Sequence, residues 1–178
     1  MKGPPIPRDM KYNEFNLKRQ YKNFSSIRAV AGAELTNDMY VRDSDSDVFW
    51  FAGKIARISD VSLEKAVARQ YPLIEEHAAR LRPNELFSKN GLLELWATNG
   101  DSEMDVTYNR PSAKFLKMKR ATEVDGADEV RNVEVGFQGE IYEGGEEGFR
   151  SQRTDDGLPL NPEIEDGQGS DSGSPANQ

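Results

Sequence analysis

The stretch that decides the fold is VFWFAGKIARI, residues 48–58, which carries the strongest strand signal in the chain. Aromatic and β-branched residues of this kind favour a strand. Residues 48–52 are apolar at both odd and even positions, so this half is predicted to be covered on both faces, or on one face and by a neighbouring strand. Gly53 predicts a bulge or the close approach of another backbone.

A helix is predicted directly after this strand, over residues 62–82, with Asp60 or Ser62 as its N-cap. Pro72 lacks a backbone N–H, so we expect a kink near Gln70 or a split into two helices, and Pro83 ends the helix. The helix is predicted from apolar residues that recur at spacings of three and four: Leu63, Val67, Tyr71, Ile74, Ala78 and Leu81.

Further strands are predicted at residues 39–42, 92–98, 113–119 and 133–142, and residues 103–108 are expected to return as a hairpin through Asn99-Gly100. The prediction is therefore an α+β fold: a mostly antiparallel sheet of about five strands with one long, proline-kinked helix packed on one face. The predicted core consists of Phe49, Phe51, Ile55, Leu63, Val67, Ile74, Leu81, Leu93, Leu95, Val135, Phe137 and Ile141.

Length and charge predict one domain with two tails. The chain has 178 residues, of which 36% are hydrophobic and 30% are charged, and a single domain of about 100–150 residues is the commonest arrangement. The net charge of −8 is unevenly placed: residues 1–30 are basic and aromatic, whereas the rest is acidic. We expect a basic aromatic N-terminal arm at residues 1–30, a single globular α+β domain at 31–150 and a disordered acidic tail at 151–178.

The chain contains no cysteine, which excludes disulfides, thiolate zinc sites and cysteine nucleophiles. This composition fits a reducing, intracellular compartment. No run of about 18 apolar residues occurs, so no membrane-spanning helix is expected. The first ten residues are rich in proline and lack the features of a secretory signal.

No constellation of residues predicts an enzyme, a cofactor or a metal. His77 is the only histidine and has no nucleophile beside it in sequence. Asp43, Asp45 and Asp47 resemble the start of an EF-hand loop, but Val48 and Lys54 occupy the positions that require glycine and glutamate.

Two basic segments are predicted to bind a protein partner. The arm mixes aromatic with cationic side chains, a combination favoured at interaction surfaces, although it could instead pack on its own domain. The second segment carries Arg110, Lys114, Lys117, Lys119 and Arg120. It could dock a partner or guard an edge strand against mispairing. The predicted partner-binding residues are Tyr12, Phe15, Lys18, Arg19, Tyr21, Lys22, Arg110, Lys114 and Lys117.

Two segments resemble a class of nuclear-encoded plastid proteins of plants and algae to which no activity is assigned. These segments are FWFAGKIAR, residues 49–57, and ARQYPLIEEHA, residues 68–78. The resemblance implies an accessory protein of the chloroplast stroma or thylakoid, provided that a transit peptide is absent from this sequence. It transfers no catalytic or binding residue.

The preferred interpretation is a non-catalytic accessory module that docks on a protein partner or a larger, multisubunit complex. RNA bound through the basic arm is a less favoured partner. The alternative is a small-ligand-binding domain with a pocket between helix and sheet, around Trp50, Phe51, Tyr71 and Trp96. An enzyme is the least favoured interpretation.

Overall fold

The computed structural model describes residues 5–142 and 147–162, and these residues form the predicted α+β fold. All paired strands are antiparallel, in the order β4-β3-β1-β2-β5, with β6 beside the first half of β2. The strands are β1 (Thr36–Arg42), β2 (Val48–Arg57), β3 (Glu94–Asn99), β4 (Leu116–Lys117), β5 (Val135–Gly139) and β6 (Arg150–Gln152). The helices are α1 (Glu14–Ala31), α2 (Leu63–Leu81), α3 (Pro83–Leu86) and α4 (Glu103–Thr107).

Strand β2 has neighbours on both sides and is covered on both faces, as its apolar run predicts. Its pairing with β1 shifts register so that Ala52 has no opposite residue, which makes a bulge. At the bulge Gly53 has φ +140°, and a Cβ there would lie 2.2 Å from the carbonyl oxygen of Gln138. The close backbone approach predicted at Gly53 is therefore confirmed, and only glycine fits this position.

Helix α2 covers the first face of the sheet. The Ser62 side chain accepts a hydrogen bond from the Lys65 backbone nitrogen at 3.2 Å and so caps the helix. Its apolar stripe packs Val67, Tyr71 and Ile74 against strand residues that include Met39 and Ile55. The helix runs from Leu63 to Leu81 through Pro72 without the predicted split.

The second face of the sheet carries a separate aromatic cluster. Phe49 and Phe51 lie there, on the opposite face from Ile55, because the bulge changes which positions of β2 point to each side. Tyr40 and Phe115 stack in this cluster with ring centroids 4.3 Å apart, and Trp96 meets Phe49 edge-on. The sheet is therefore the middle layer between two cores.

A second long helix, α1, also packs on this second face, which corrects the prediction of one long helix. Phe24 and Ile27 form a small cluster with Ala56 of β2. A Cβ at Gly136 would lie 2.1 Å from the backbone nitrogen of Phe24, so helix and strand touch closely. The helix thus covers the β2–β5 side of the sheet.

The predicted hairpin after β3 is wrong, and the sheet formed by the described residues has six strands, against about five predicted. Residues 103–107 form helix α4 because the buried carboxylate of Asp38 accepts hydrogen bonds from the backbone nitrogens of Asp101 and Ser102. Of the strand predicted at 113–119 only Leu116–Lys117 pairs.

The predicted core is mostly confirmed, with one clear exception. Ile141 is 72% exposed, because β5 ends at Gly139. Beyond that point β2 bonds to Phe149 and β6 instead of to the continuation of β5. Leu63 and Leu81 are only partly buried at the margin of the helix. The other nine predicted core residues are buried.

Residues 151–153, part of the predicted disordered tail, belong to the folded domain. Residues 150–152 form β6, and the Arg153 side chain is fully buried over the ring of Phe115 at 3.6 Å. Its Nη1 donates to the carbonyl oxygens of Ala113 and Gly157. The rest of the predicted disordered tail, residues 163–178, lies outside the described residues.

Within residues 5–142 and 147–162, none of the helices has the length and hydropathy needed to cross a membrane.

Candidate functional site

Helix α1 is held on the domain by one face only. The Asn13 side chain caps it by accepting from the Asn16 backbone nitrogen at 2.8 Å, and Asn16 in turn donates to the carbonyl oxygens of Arg8 and Lys11. Four residues at helical spacing are buried: Asn16, Gln20, Phe24 and Ile27. The N-terminal arm is therefore a packed helix, and half of its surface remains on the outside.

The outer face of α1 carries most of the partner-binding residues predicted in the arm. We call Phe15, Lys18, Arg19, Tyr21 and Lys22 the α1 surface. Phe15 is 69% exposed and Tyr21 is 51% exposed, large values for aromatic side chains on an isolated domain. This surface combines apolar anchors with positive charge on an otherwise acidic chain.

The charges of the α1 surface are scarcely neutralised by the domain itself. Lys18 meets Glu14 at 3.5 Å, but both side chains are highly exposed, and such pairs contribute little. The Arg19 guanidinium lies 5.1 Å from the centre of the Phe15 ring. Among the described residues neither Arg19 nor Lys22 has an acidic partner, so both charges are available to an acidic surface.

Tyr12, the remaining predicted arm residue, contributes to the interior instead of the α1 surface. Its hydroxyl lies 3.1 Å from His77 Nδ1, and Arg80 lies over its ring at 4.9 Å. The backbone oxygen of Glu140, 2.7 Å from His77 Nε2, can only accept a hydrogen bond. The Nε2 atom therefore carries the proton, and Nδ1 accepts from Tyr12. His77 is a buried, satisfied histidine joining α2 to the arm.

Burial lowers the pKa of His77 below its ordinary value of 6.5. As the pH falls below about 6.5, the unfolded chain takes up a proton before the folded protein does, so stability decreases until the folded protein also protonates. We expect the free energy of unfolding, measured by urea titration between about pH 7 and 5, to decrease in the wild type. It should decrease much less in His77→Gln, and equal decreases would contradict the buried neutral role.

A groove of about 810 Å³ runs beside the α1 surface. Its α1 side is formed by Leu17, Lys18 and Tyr21, and α4 contributes Glu103 and Thr107. The remaining lining includes β2 at Phe51–Lys54, the segment Gln138–Ile141 and Phe149. A Cβ at Gly139 would lie 2.5 Å from His77 Nε2, so the groove's backbone wall depends on this glycine.

A cluster of carboxylates at this groove has the spacing of a metal site but already holds an ammonium group. Oxygen atoms of Asp38, Asp101 and Glu103 lie within 4.8 Å of one another. Lys54 Nζ lies 3.1 Å from Asp38 and 2.8 Å from each of the other two. Burial alone would lower the pKa of Lys54, but hydrogen bonds to Asp101 and Glu103 raise it above its usual range. Lys54 and Arg28, which pairs with Asp101, supply two positive charges to the three carboxylates.

The second basic segment is divided among different roles. Lys117 lies on the edge strand β4 and pairs with Glu94 at 3.4 Å, while Arg110 lies 3.7 Å from Asp105. Lys114 is exposed. Arg120, at the end of the segment, is held by the buried Glu75. The position of Lys117 fits the guarding of an edge strand, and the segment presents no single basic stripe.

The four residues named for a pocket between helix and sheet do not line one cavity. Trp50 and Tyr71 belong to the core under α2, whereas Phe51 and Trp96 belong to the aromatic cluster on the opposite face. In the Asp43–Asp47 loop, Lys89 Nζ lies 3.4 Å from a carboxylate oxygen of Asp43 and 3.4 Å from one of Asp45.

The sequence reasoning missed how α1 is anchored. Two of its buried positions are polar. One of them, Gln20, accepts a hydrogen bond at its Oε1 from Gln70 Nε2 of α2 at 2.6 Å, a partner fifty positions away. The spacing of Asn16, Gln20, Phe24 and Ile27, together with the cap at Asn13, is the signal that could have found this face.

Comparison with family models, with curated proteins and with solved structures found no match to this chain. The resemblance to plastid proteins therefore rests on residues 49–57 and 68–78 alone.

Proposed function

We propose that this protein is a non-catalytic accessory module that docks on an acidic protein partner through the α1 surface. The observation that carries this proposal is the outward exposure of Phe15 and Tyr21 beside Lys18, Arg19 and Lys22, on a chain whose net charge is −8. The plastid stroma is the compartment that the sequence resemblance favours, and a multisubunit assembly is the kind of partner we propose there.

The charged and the aromatic side chains of the α1 surface would contribute differently to binding. Opposite charge speeds encounter and fixes orientation, whereas most of the affinity of a protein interface comes from a few aromatic or arginine anchors buried at its centre. Phe15 and Tyr21 are the anchors available, and α1 holds them in a fixed arrangement because its other face is packed. Docking would therefore need no folding of the helix on binding.

Replacing Lys18, Arg19 and Lys22 with Ala is expected to weaken binding to the partner and to flatten its dependence on salt, because the attraction at long range is removed. The partner is first captured from extracts of the organism that makes this protein, then purified, and its dissociation constant is measured at several salt concentrations. A matched control replaces Lys114, Lys117 and Lys119, which removes the same charge elsewhere.

The two triple variants separate the possible outcomes. Loss of binding in the α1 variant alone supports the proposal, whereas loss in the control alone would move the docking site to the β4 edge. Capture of RNA instead of a protein would contradict the proposal. The binding constant of RNA would also depend steeply on salt, changing by nearly one log unit per log unit of salt concentration for each phosphate contact.

A further inference from the structure

A second cavity, of about 470 Å³, lies on the far side of α2 from the groove and is independent of the docking proposal. Its volume lies within the usual range of small-molecule sites, about 300–1,000 Å³. The apolar part of its lining comes from the N-terminal segment, from α2 and from two loops: Ile6, Pro7, Ala68, Pro72, Ala121 and Ala127. The polar and aromatic groups of the lining that could contact a ligand are the Arg120–Glu75 pair, the Tyr71 ring and the Asn90 amide.

The guanidinium of Arg120 is fixed in one plane. Its Nη1 and Nη2 donate to the two carboxylate oxygens of Glu75 at 3.0 and 3.1 Å. Nη2 also donates to the carbonyl oxygens of Gly91 and Leu93 at 2.9 and 3.1 Å. These bonds hold the guanidinium by its Nη1 and Nη2 atoms, and a guanidinium held in this way can still stack on an aromatic ring through a face.

The Tyr71 ring occupies one side of the Arg120 guanidinium. It lies 4.3 Å from the guanidinium carbon and is fixed by hydrogen bonds from its hydroxyl to Leu93 and from Leu95. The Arg120 side chain is 36% exposed and lines the cavity. A planar ring that enters the cavity can therefore stack on the guanidinium from the side away from Tyr71.

The charges around the Arg120 guanidinium restrict what can bind. Among the described residues, Glu75 neutralises Arg120 and Asp9 neutralises Arg69, so the described lining offers no unpaired positive charge to an anion. Glu76 is paired with Arg80, and Asp128 adds a negative charge to the lining. The Asn90 side chain has no hydrogen-bond partner among the described residues, so its amide is free to donate to and accept from the edge of a heterocycle.

From this arrangement we propose that the cavity binds an uncharged bicyclic heteroaromatic ring, of the purine nucleoside class, stacked on Arg120 and hydrogen-bonded along its edge by Asn90. A nucleotide is disfavoured because its phosphate would meet the carboxylate of Asp128 without an unpaired cation among the described lining residues. Arginine stacks readily on aromatic planes, and every nucleobase presents such a plane.

The proposal is tested by titrating adenosine and guanosine into the full chain and following binding by ligand-observed NMR and calorimetry. At least one nucleoside should bind saturably, and ribose should not bind. Adenosine monophosphate should bind at least about tenfold more weakly than adenosine, which corresponds to a difference of about 1.4 kcal/mol in binding free energy. Ala121→Phe, which fills the cavity from an exposed position, should abolish binding, and Asn90→Ala should weaken it. Asn84→Ala, at an exposed position on α3, is the matched control and should bind as the wild type does.

Three results would overturn the proposal: no saturable binding of either nucleoside, tighter binding of the monophosphate than of adenosine, or unchanged binding in Ala121→Phe. Melting temperatures of the variants check that each is folded. If Ala121→Phe does not fold, Ala121→Leu takes its place with the same expected loss. None of these results depends on whether the α1 surface docks a partner.

Discussion

Truncating Phe137 to Ala is expected to lower the free energy of unfolding by about 3–5 kcal/mol. Phe137 is fully buried on β5, opposite Ile55 of β2, and its ring meets His77 edge-on at 5.6 Å. No neighbouring element can close the resulting cavity easily, because β5 is held by β2 on one side and by α1 across Gly136. This residue joins the sheet to the core under α2.

Urea unfolding measures this effect, with Val133→Ala as the matched control. Val133 lies just before β5 and is 59% exposed, so its truncation should change stability by no more than about 0.5 kcal/mol. A loss below about 1 kcal/mol for Phe137→Ala would contradict the packing of α2 on the sheet, since large apolar truncations in a formed core cost more than this.

Replacing Glu75 with Ala should cost a comparable amount, about 3–5 kcal/mol, because it leaves the Arg120 guanidinium without its carboxylate and the backbone nitrogens of Gly91 and Leu93 without their acceptor. Glu75 is only 3% exposed and accepts from the backbone nitrogens of Gly91 and Leu93, at 2.7 and 3.0 Å, as well as from Arg120. Its carboxylate thus joins α2 to the loop before β3 and to the end of the second basic segment.

The neighbouring Glu76 supplies the comparison for Glu75. It forms an i,i+4 pair with Arg80 at 2.7 Å, and the Arg80 side chain is 52% exposed. Glu76→Ala should therefore cost only about 0.3–0.5 kcal/mol in urea unfolding. Equal losses for the two variants would show that Glu75 is not the buried junction described here.

The central strand and helix α2 could be predicted from sequence because their signals are local. β2 needs only its aromatic and β-branched run, and α2 needs only the spacing of its apolar stripe and the cap at Ser62. The residue that anchors helix α1 from a distance and the start of helix α4 could not be predicted in this way. The buried Gln20 of α1 depends on Gln70, and α4 begins where it does because Asp38 binds the backbone of residues 101 and 102.

The candidate sites show the same division between local and distant contacts. Phe15, Lys18, Arg19, Tyr21 and Lys22 form one exposed surface because a single helix carries them. Arg120, in contrast, looks like part of a basic stripe in the sequence, and only the fold brings it to Glu75, forty-five positions away. No local pattern could have predicted the cavity that the two residues share with Tyr71.

The most direct test of the docking proposal is photo-crosslinking from Phe15, with Val133 as the comparison position. Both residues are exposed and apolar, but only Phe15 belongs to the α1 surface. A photoreactive phenylalanine analogue is placed at each position in turn, the full chain is irradiated with the purified partner, and the crosslinked products are identified by mass spectrometry. Docking through α1 predicts a crosslink from position 15 and none from position 133. An equal crosslink from position 133, or none from position 15 to a partner that still binds, would contradict the account.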